Sequence, residues 1–299
     1  MFEKLKVEDP IKNTVLVLVD EEILNISYEE TGDFEIYKFT NSIIFLDYIE
    51  EILNKVAAKS FKSKITIINI FNSFENYFRI LLKLHQFDHN RQSSIDEFKK
   101  SMKSFNSVNN DDFEPKLGLG QCDLPLSFCL INVLPSKLIG QETMTINSIL
   151  LQQVLRFTSL KHGSALLSTS NVELIKQQPL EFLETLDLST PKPIFDSTQE
   201  FPLIIPNGWD SFNKIILLSN SSIYRHDLLL TSERDCNELN NVYNNTFYNS
   251  IDKSELLKRI IPNYDKHENC EKTSNLMTFN DMLQKVQEPE IHTDPDITI

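Results

Sequence analysis

Continuous apolar runs along the chain predict β-strands. Val15 to Val19 (VLVLV) consists of β-branched residues and leucine, which is typical of a strand covered on both faces. Similar short runs recur up to the last third of the chain and are separated by longer segments. The strands predicted in this way are Val15 to Val19, Ile23 to Tyr28, Phe34 to Phe39, Ile65 to Ile70, Leu126 to Val133, Ala165 to Ser168 and Ile215 to Leu218.

Apolar residues that recur every three or four positions predict amphipathic helices between these strands. The predicted helices are Asn41 to Lys59, Phe74 to His85, Ile95 to Phe105, Ile146 to Leu160 and Val172 to Leu186. Pro179 interrupts the last of them and fits best in the first turn of a second helical piece. Since strands and helices alternate, we predict an α/β fold with a mostly parallel central sheet flanked by helices.

The chain changes character after Ser219. Residues Ser219 to Asn249 are rich in asparagine and predict no regular element. Further on, an apolar stripe at i, i+3, i+7 and i+10 predicts a helix that is too short to be stable alone, so it must dock on its own domain or on a partner. We therefore predict an α/β domain at residues 1–219, with an insertion at about 90–117, and a partly helical C-terminal extension at 220–299 that ends in a disordered acidic tail. The partner-binding candidates on the stripe are Leu276, Phe279, Leu283 and Val286.

The segment Ile204 to Lys214 (IIPNGWDSFNK) holds the only tryptophan of the chain. Proline fixes a backbone angle, glycine permits a left-handed one, and aspartate bonds the backbone beyond it, so a tight turn is expected. We predict that the turn is a structural hinge that fastens the extension to the domain. The simpler interpretation is a buried tryptophan beside an ordinary turn. The hinge residues are Pro206, Gly208, Trp209 and Asp210.

Both nucleotide-binding motifs of a GTPase are missing. A glycine-rich loop with a lysine should follow the first strand, but Val19 is followed by Asp20, Glu21 and Glu22, whose carboxylates would repel a phosphate. The guanine-reading Asn-Lys-x-Asp is also absent after Val133. No acid and base pair stands out among the carboxylates. We therefore predict a protein that is not an enzyme, with no catalytic residues, no nucleotide and no cofactor.

Composition narrows the possible partners. The net charge of −14 argues against binding to nucleic acid or to an anionic lipid surface. No apolar run approaches the ~20 residues that span a bilayer, so we expect a cytosolic protein without membrane insertion. The four cysteines lack paired CxxC spacing, which indicates neither a zinc site nor a disulfide framework.

Three histidine and glycine patterns have simple structural interpretations. His85 and His89 are four residues apart, but no third ligand is evident, so we predict no metal site. His162 lies at a predicted helix end, where a cation is favourable. Gly118-Leu119-Gly120 precedes a strand, whereas a dinucleotide fingerprint follows one, so it predicts a turn.

Three stretches combine uncommon residues at fixed spacings. Lys116 to Gly120 (KLGLG) precedes Leu124-Pro125 and a strand, Leu155 to Ser170 reads LRFTSLKHGSALLSTS, and Ile204 to Ile215 reads IIPNGWDSFNKI. They resemble, in order, the proline-leucine-glycine segment, the RxFxxxxGAALxxTS pattern and the IPxGWDxxxKI pattern of the cytoplasmic dynein light intermediate chain family. Met277 to Gln287 is similar to the stretch that follows the domain in that family.

The resemblance implies a degenerate P-loop GTPase-like domain, of the short, asparagine-rich kind expected of a fungus. It implies a non-catalytic subunit that binds the dynein heavy chain and other dynein subunits, and that reaches microtubules only indirectly. Transport along microtubules or nuclear and spindle positioning would be its role, in the cytoplasm and on the cytoskeleton. The alternatives are a divergent GTPase or other nucleotide hydrolase, and a pseudo-GTPase scaffold in membrane traffic.

Overall fold

The computed structural model describes residues 12–59, 64–72, 74–88, 120–124, 126, 128–135, 146–186, 193–195, 201–220 and 228–249. Its strands are β1 (Asn13–Val19), β2 (Asn25–Thr31), β3 (Phe34–Thr40), β4 (Ile65–Ile70), β5 (Cys129–Pro135), β6 (Ala165–Thr169), β7 (Ile194–Phe195) and β8 (Leu203–Ile205). Its helices are α1 (Leu46–Lys59), α2 (Phe74–Asp88), α3 (Ile146–His162), α4 (Val172–Gln177), α5 (Pro179–Thr185), α6 (Phe212–Asn220) and α7 (Glu233–Asn249).

The described strands form one sheet in the order β2-β3-β1-β4-β5-β6-β8-β7. β3, β1, β4, β5 and β6 run parallel to one another, whereas β2 pairs antiparallel with β3 at one edge. β8 and β7 extend the other edge with antiparallel pairs. A turn at Gly32, with φ +55°, joins β2 to β3, so no helix separates β1 from β3. The predicted fold class, an α/β fold with a mostly parallel central sheet flanked by helices, is confirmed.

The hydrophobic core lies on both faces of the sheet, and β1 contributes buried side chains to each face. Leu16 and Leu18 belong to a large cluster that includes residues of α1, α2, α3, α6 and α7. Val15, Val17 and Val19 belong to a smaller cluster on the opposite face, with Ile175 of α4 and Phe182 of α5. The continuous VLVLV run therefore reflects a strand between two helical layers.

Helix α3 is enclosed by its neighbours on all sides. Each of residues 151–162 is buried, although the sequence pattern predicted a single apolar face. Several of its polar side chains have partners inside the protein: Gln153 Nε2 donates to the carbonyl of Leu230 at 3.0 Å, and Thr158 Oγ1 lies 2.7 Å from the hydroxyl of Tyr77. The helix is thus the centre of its layer.

The strand predicted at Ile215 to Leu218 is wrong. These residues belong to α6, in which Ile215 is fully buried and Leu217 is 65% exposed. The hydroxyl of Ser211 accepts a hydrogen bond from the amide of Lys214 at 3.3 Å, as an N-terminal helix cap does. A short apolar run cannot distinguish a strand from a helix by itself, and here the cap decides.

The asparagine-rich segment, expected to be irregular, contains the 17-residue helix α7. Ser232 and Asp235 form a capping box, because each backbone amide donates to the side chain of the other residue, at 2.9 and 3.2 Å. Asparagine is a poor helix former, so its abundance obscures the apolar pattern of this helix in the sequence. Buried apolar residues on this helix recur at intervals of three and four: Cys236, Leu239, Tyr243 and Phe247.

The other predicted elements are present wherever the structure describes them, but α1 begins at Leu46 rather than Asn41, and β2 is Asn25–Thr31 rather than Ile23 to Tyr28. Residues Val172 to Leu186 form two helical pieces, α4 and α5, with Pro179 as the first residue of α5. β5 begins three residues later than predicted and runs to Pro135. The helix predicted at Ile95 to Phe105 and the stripe at Leu276 to Val286 lie outside the described residues. No described helix is both long and apolar enough to cross a membrane.

Candidate functional site

The carboxyl ends of β1 and β4 lie at the point of the sheet where the chain order reverses. β1 leads towards β2 on one side, whereas β4 leads through α2 to β5 on the other. Open α/β sheets bind their ligands in the crevice at such a point. A nucleotide would therefore be expected at the carboxyl ends of β1 and β4.

Asp20, directly after β1, forms hydrogen bonds to Asn72 before α2 and to Asn76 within it. Its two carboxylate oxygens accept from the backbone amide of Asn72 at 3.1 Å and from Asn76 Nδ2 at 2.7 Å. The carbonyl of Asp20 accepts from Asn72 Nδ2 at 2.8 Å. The side chain and the backbone of Asp20 thus tie the end of β1 to the loop after β4.

The adjacent carboxylate also binds within the chain. Glu21 forms an ion pair with Lys176 of α4, which also bonds Glu173 at 2.6 Å. The amide of Asn72, which could face an anion, already donates to a carboxylate. Because negative side chains occupy the edge, its residues do not suit the phosphates of a nucleotide. That the protein binds none stays a prediction.

No metal site is found in the described ranges, because no group of three or more histidine, cysteine or acidic side chains could hold an ion there. His85 contacts His162, with ring centroids 6.1 Å apart, and Phe247 at 5.1 Å. It is therefore an aromatic packing residue in this fold. His89 lies outside the described residues.

Three segments that are distant in sequence meet at one place, which we call the motif junction: residues 120–124, 155–163 and 206–212. At its centre, Gly120 has φ +71° and lies directly against Phe212. A Cβ at this position would lie 2.1 Å from the ring atom Cζ of Phe212. The Phe212 ring in turn stacks on Phe157 of α3, with centroids 5.8 Å apart. The glycine is thus required by both its backbone angle and its neighbour.

The segment 120–124 caps the carboxyl end of α3. The amides of Cys122 and Leu124 donate to the carbonyls of Leu160 and Lys161, at 2.8 and 3.0 Å. These carbonyls would otherwise lack partners at the helix end. Gly163, with φ +62°, ends the helix in the left-handed conformation. The turn that begins at Gly120 therefore supplies the hydrogen-bond donors that cap the carboxyl end of α3.

A buried ion pair joins α3 to the third segment. Arg156 donates from Nε and Nη2 to the two carboxylate oxygens of Asp210, at 2.7 and 2.8 Å, and both side chains are at most 5% exposed. Gln121 Nε2 donates to the carbonyl of Gly208 at 2.9 Å, which links the first segment to the third. All three segments are thus connected by side-chain hydrogen bonds.

Trp209 lies at the rim of the motif junction. The amide of Trp209 donates to the carbonyl of Pro206 at 3.2 Å, and Gly208 has φ +75°, so the predicted turn is present. The ring is only half-buried, between Lys214 Nζ at 3.7 Å and the Phe195 ring at 5.8 Å. Burial lowers the pKa of Lys214. Pro206 and Asp210, rather than the tryptophan, are the buried members of the turn. The hinge role of these residues stays a prediction.

Sequence reasoning missed the polar contacts that attach α7 to α3. His162 is buried, with Nδ1 3.0 Å from the carbonyl of Leu124 and Nε2 3.0 Å from the hydroxyl of Tyr243. Nδ1 therefore carries the proton, and the tyrosine donates to Nε2. Burial lowers the pKa of His162 to about 3, so the ring is neutral, and the expected helix-ending cation is wrong.

Lys161 adds a second buried attachment. Its ammonium lies 2.5 Å from Asp123 and also bonds Asn240 of α7. Burial lowers the pKa of Lys161, whereas Asp123 opposes that shift. Asn244 Nδ2 donates to Asp123 at 3.3 Å. The capping box at Ser232 was the available sequence signal for α7, but nothing in the sequence indicates these partners.

Fold and site together define an α/β domain in which carboxylates at the carboxyl end of β1 bond to other parts of the same chain. No family model and no curated protein matches the sequence. A solved structure described as "Crystal Structure of the Dynein Light Intermediate Chain's Conserved Domain" is similar at 17% identity and a TM-score of 0.47. The similarity covers 77% of this chain and 90% of that chain.

Proposed function

We propose that the chain is a non-catalytic light intermediate chain subunit of cytoplasmic dynein that binds the tail of the heavy chain. It would act in the cytoplasm, in microtubule-based transport or in nuclear and spindle positioning. The observation that carries this proposal is the motif junction, because described residues from each of the three stretches that resemble the family in sequence meet there. Microtubules and the other dynein subunits would be reached through the complex.

The contacts at the motif junction make the three stretches depend on one another. Gly120 is needed because Phe212 lies against it, and Arg156 needs Asp210 because a buried guanidinium requires a partner. Chance similarity of three short segments would not require their distinctive residues to contact each other. The mutual contacts therefore favour the family resemblance over coincidence.

A role without catalysis is favoured by the carboxyl edge of the sheet. Asp20 is held by Asn72 and Asn76, and Glu21 by Lys176, so the carboxylates bind other elements of the fold. An edge arranged in this way stabilises the domain and offers no cradle for a phosphate. The domain would then serve as a rigid platform for another polypeptide.

The first experiment is purification of the tagged full-length chain from its own cells. We expect the dynein heavy chain to co-elute. Replacing Phe279 and Leu283 together with aspartate should remove it, because charges on the apolar stripe oppose docking. Leu217→Asp is the matched control, since Leu217 is exposed on α6 and its change should leave the heavy chain bound.

Two results would count against this proposal. Absence of the heavy chain from the wild-type eluate would reject the dynein role. Full recovery with the double aspartate variant would remove the stripe at Leu276 to Val286 from the interface. Circular dichroism of each purified variant is the control that checks whether the domain itself remains folded.

A further inference from the structure

The outer edge of β2 is open in the part of the chain that the structure describes. β2 is the terminal strand of the sheet and pairs only with β3 there. All seven of its residues are exposed. An edge strand presents unpaired backbone donors and acceptors, to which another strand can add.

Apolar side chains accumulate along this edge. Ile26 and Tyr28 lie on one face of β2, directly opposite Phe39 and Tyr37 of β3, and Phe39 is part of the core. The Tyr48 ring of α1 lies 6.1 Å from that of Phe39, on the same side. The β2 edge surface is the set of side chains in this region that are 43% to 72% exposed: Ile23, Leu24, Ile26, Tyr28 and Tyr48.

The charge around this surface is predominantly negative, although Glu30, Glu29 and Glu21 form ion pairs with Lys12, Lys38 and Lys176. From Asp20 to Lys38 the chain carries seven acidic residues and one lysine. Glu30 and Glu35 lie directly opposite each other on β2 and β3. Such a field attracts a basic segment and disfavours an acidic one.

We propose that the β2 edge surface binds an extended segment of another polypeptide in which basic and apolar residues alternate, and that this segment adds as an outer strand beside β2. Backbone hydrogen bonds would give affinity, and alternate side chains would contact the apolar face. The proposal does not depend on the dynein role. A second copy of this chain is a poor occupant, because two acidic edges would face each other.

The test uses the full-length chain and a fluorescent peptide of about ten residues that alternates lysine and valine. We expect binding in fluorescence anisotropy that weakens with added salt, because the attraction is partly electrostatic. A peptide of the same composition with its lysines and valines in separate blocks should bind at least about tenfold more weakly, because it cannot present an apolar face. Hydrogen exchange should show protection of the backbone amides at Asn25–Thr31 in the presence of the alternating peptide.

Variants locate the site. Ile26→Lys and Tyr28→Lys should each weaken binding of the alternating peptide by about tenfold or more, through lost apolar contact and added positive charge. Leu217→Lys introduces the same charge at an exposed leucine of α6 and should leave binding unchanged.

Several results would overturn the proposal. These are no binding of the alternating peptide, equal binding of the blocked peptide, protection of amides outside β2, or unchanged binding by both β2 variants. A dimer in sedimentation that Ile26→Lys abolishes would assign the edge to a second copy instead.

Discussion

Replacing Asp210 with alanine is expected to lower the free energy of unfolding by about 3 to 5 kcal/mol, because it leaves the Arg156 guanidinium buried without its carboxylate. Arg156 is 3% exposed and donates both of its described hydrogen bonds to Asp210, so water cannot easily replace the lost partner. The change also frees α3 from the turn that leads into α6. Urea unfolding, followed by circular dichroism, measures the effect.

A double variant separates the cost of the unpaired charge from the value of the pair. Arg156→Met combined with Asp210→Leu removes both charges and should recover a large part of the stability lost in Asp210→Ala. Arg234, which forms an ion pair with Glu238 on the exposed side of α7, supplies the matched control. Glu238→Ala should change the stability by less than about 1 kcal/mol. An effect of Asp210→Ala as small as this would mean that the Arg156 pair is not buried.

Replacing Tyr243 with alanine should also cost about 3 to 5 kcal/mol, since a large, fully buried ring is lost. The ring contacts Phe78, Phe157 and Phe247, with centroid distances between 4.8 and 5.9 Å. Thermal unfolding of the full-length chain measures the loss. The result tests whether α7 is an integral part of the core.

Tyr243→Phe is the conservative comparison. It keeps the ring and removes only the hydroxyl that donates to His162, so it should cost about 1 to 2 kcal/mol. A nearly unchanged unfolding temperature for Tyr243→Ala would place α7 outside the folded core.

Much of the fold could be predicted because burial on two faces leaves a strong pattern. β1, β4 and β6 are mostly apolar and almost entirely buried, and the break at Pro179 separated α4 from α5. The absence of both nucleotide-binding motifs after Val19 and Val133 also indicated that the carboxyl ends of these strands lack the usual residues of a nucleotide site. These features are local, and a single sequence contains them.

The remaining features depend on contacts between distant segments. α3 looked amphipathic because Gln153, Arg156 and Lys161 are polar, yet each is buried against a partner far along the chain. His162 looked like a cation, but burial beneath α7 keeps it neutral. A sequence pattern reports the polarity of a side chain and does not report which partner covers it.

The candidate site was predictable only in its parts. The turn at Gly208 and the absence of a phosphate loop followed from local residues, whereas the bonds of Asp20 to Asn72 and Asn76 required the parallel order of β1 and β4. Likewise, the resemblance identified three stretches without showing that Gly120, Arg156 and Asp210 belong to one junction. Topology supplied these relations.

Our central proposal is that this α/β domain serves as a platform that binds no nucleotide. Isothermal titration of the full-length chain with GTP, GDP and ATP in the presence of magnesium tests this proposal most directly. The carboxylates of Asp20 and Glu21 at the sheet edge predict no heat of binding for any of the three nucleotides. Binding of any one of them with micromolar affinity would contradict the claim and favour a nucleotide-dependent enzyme.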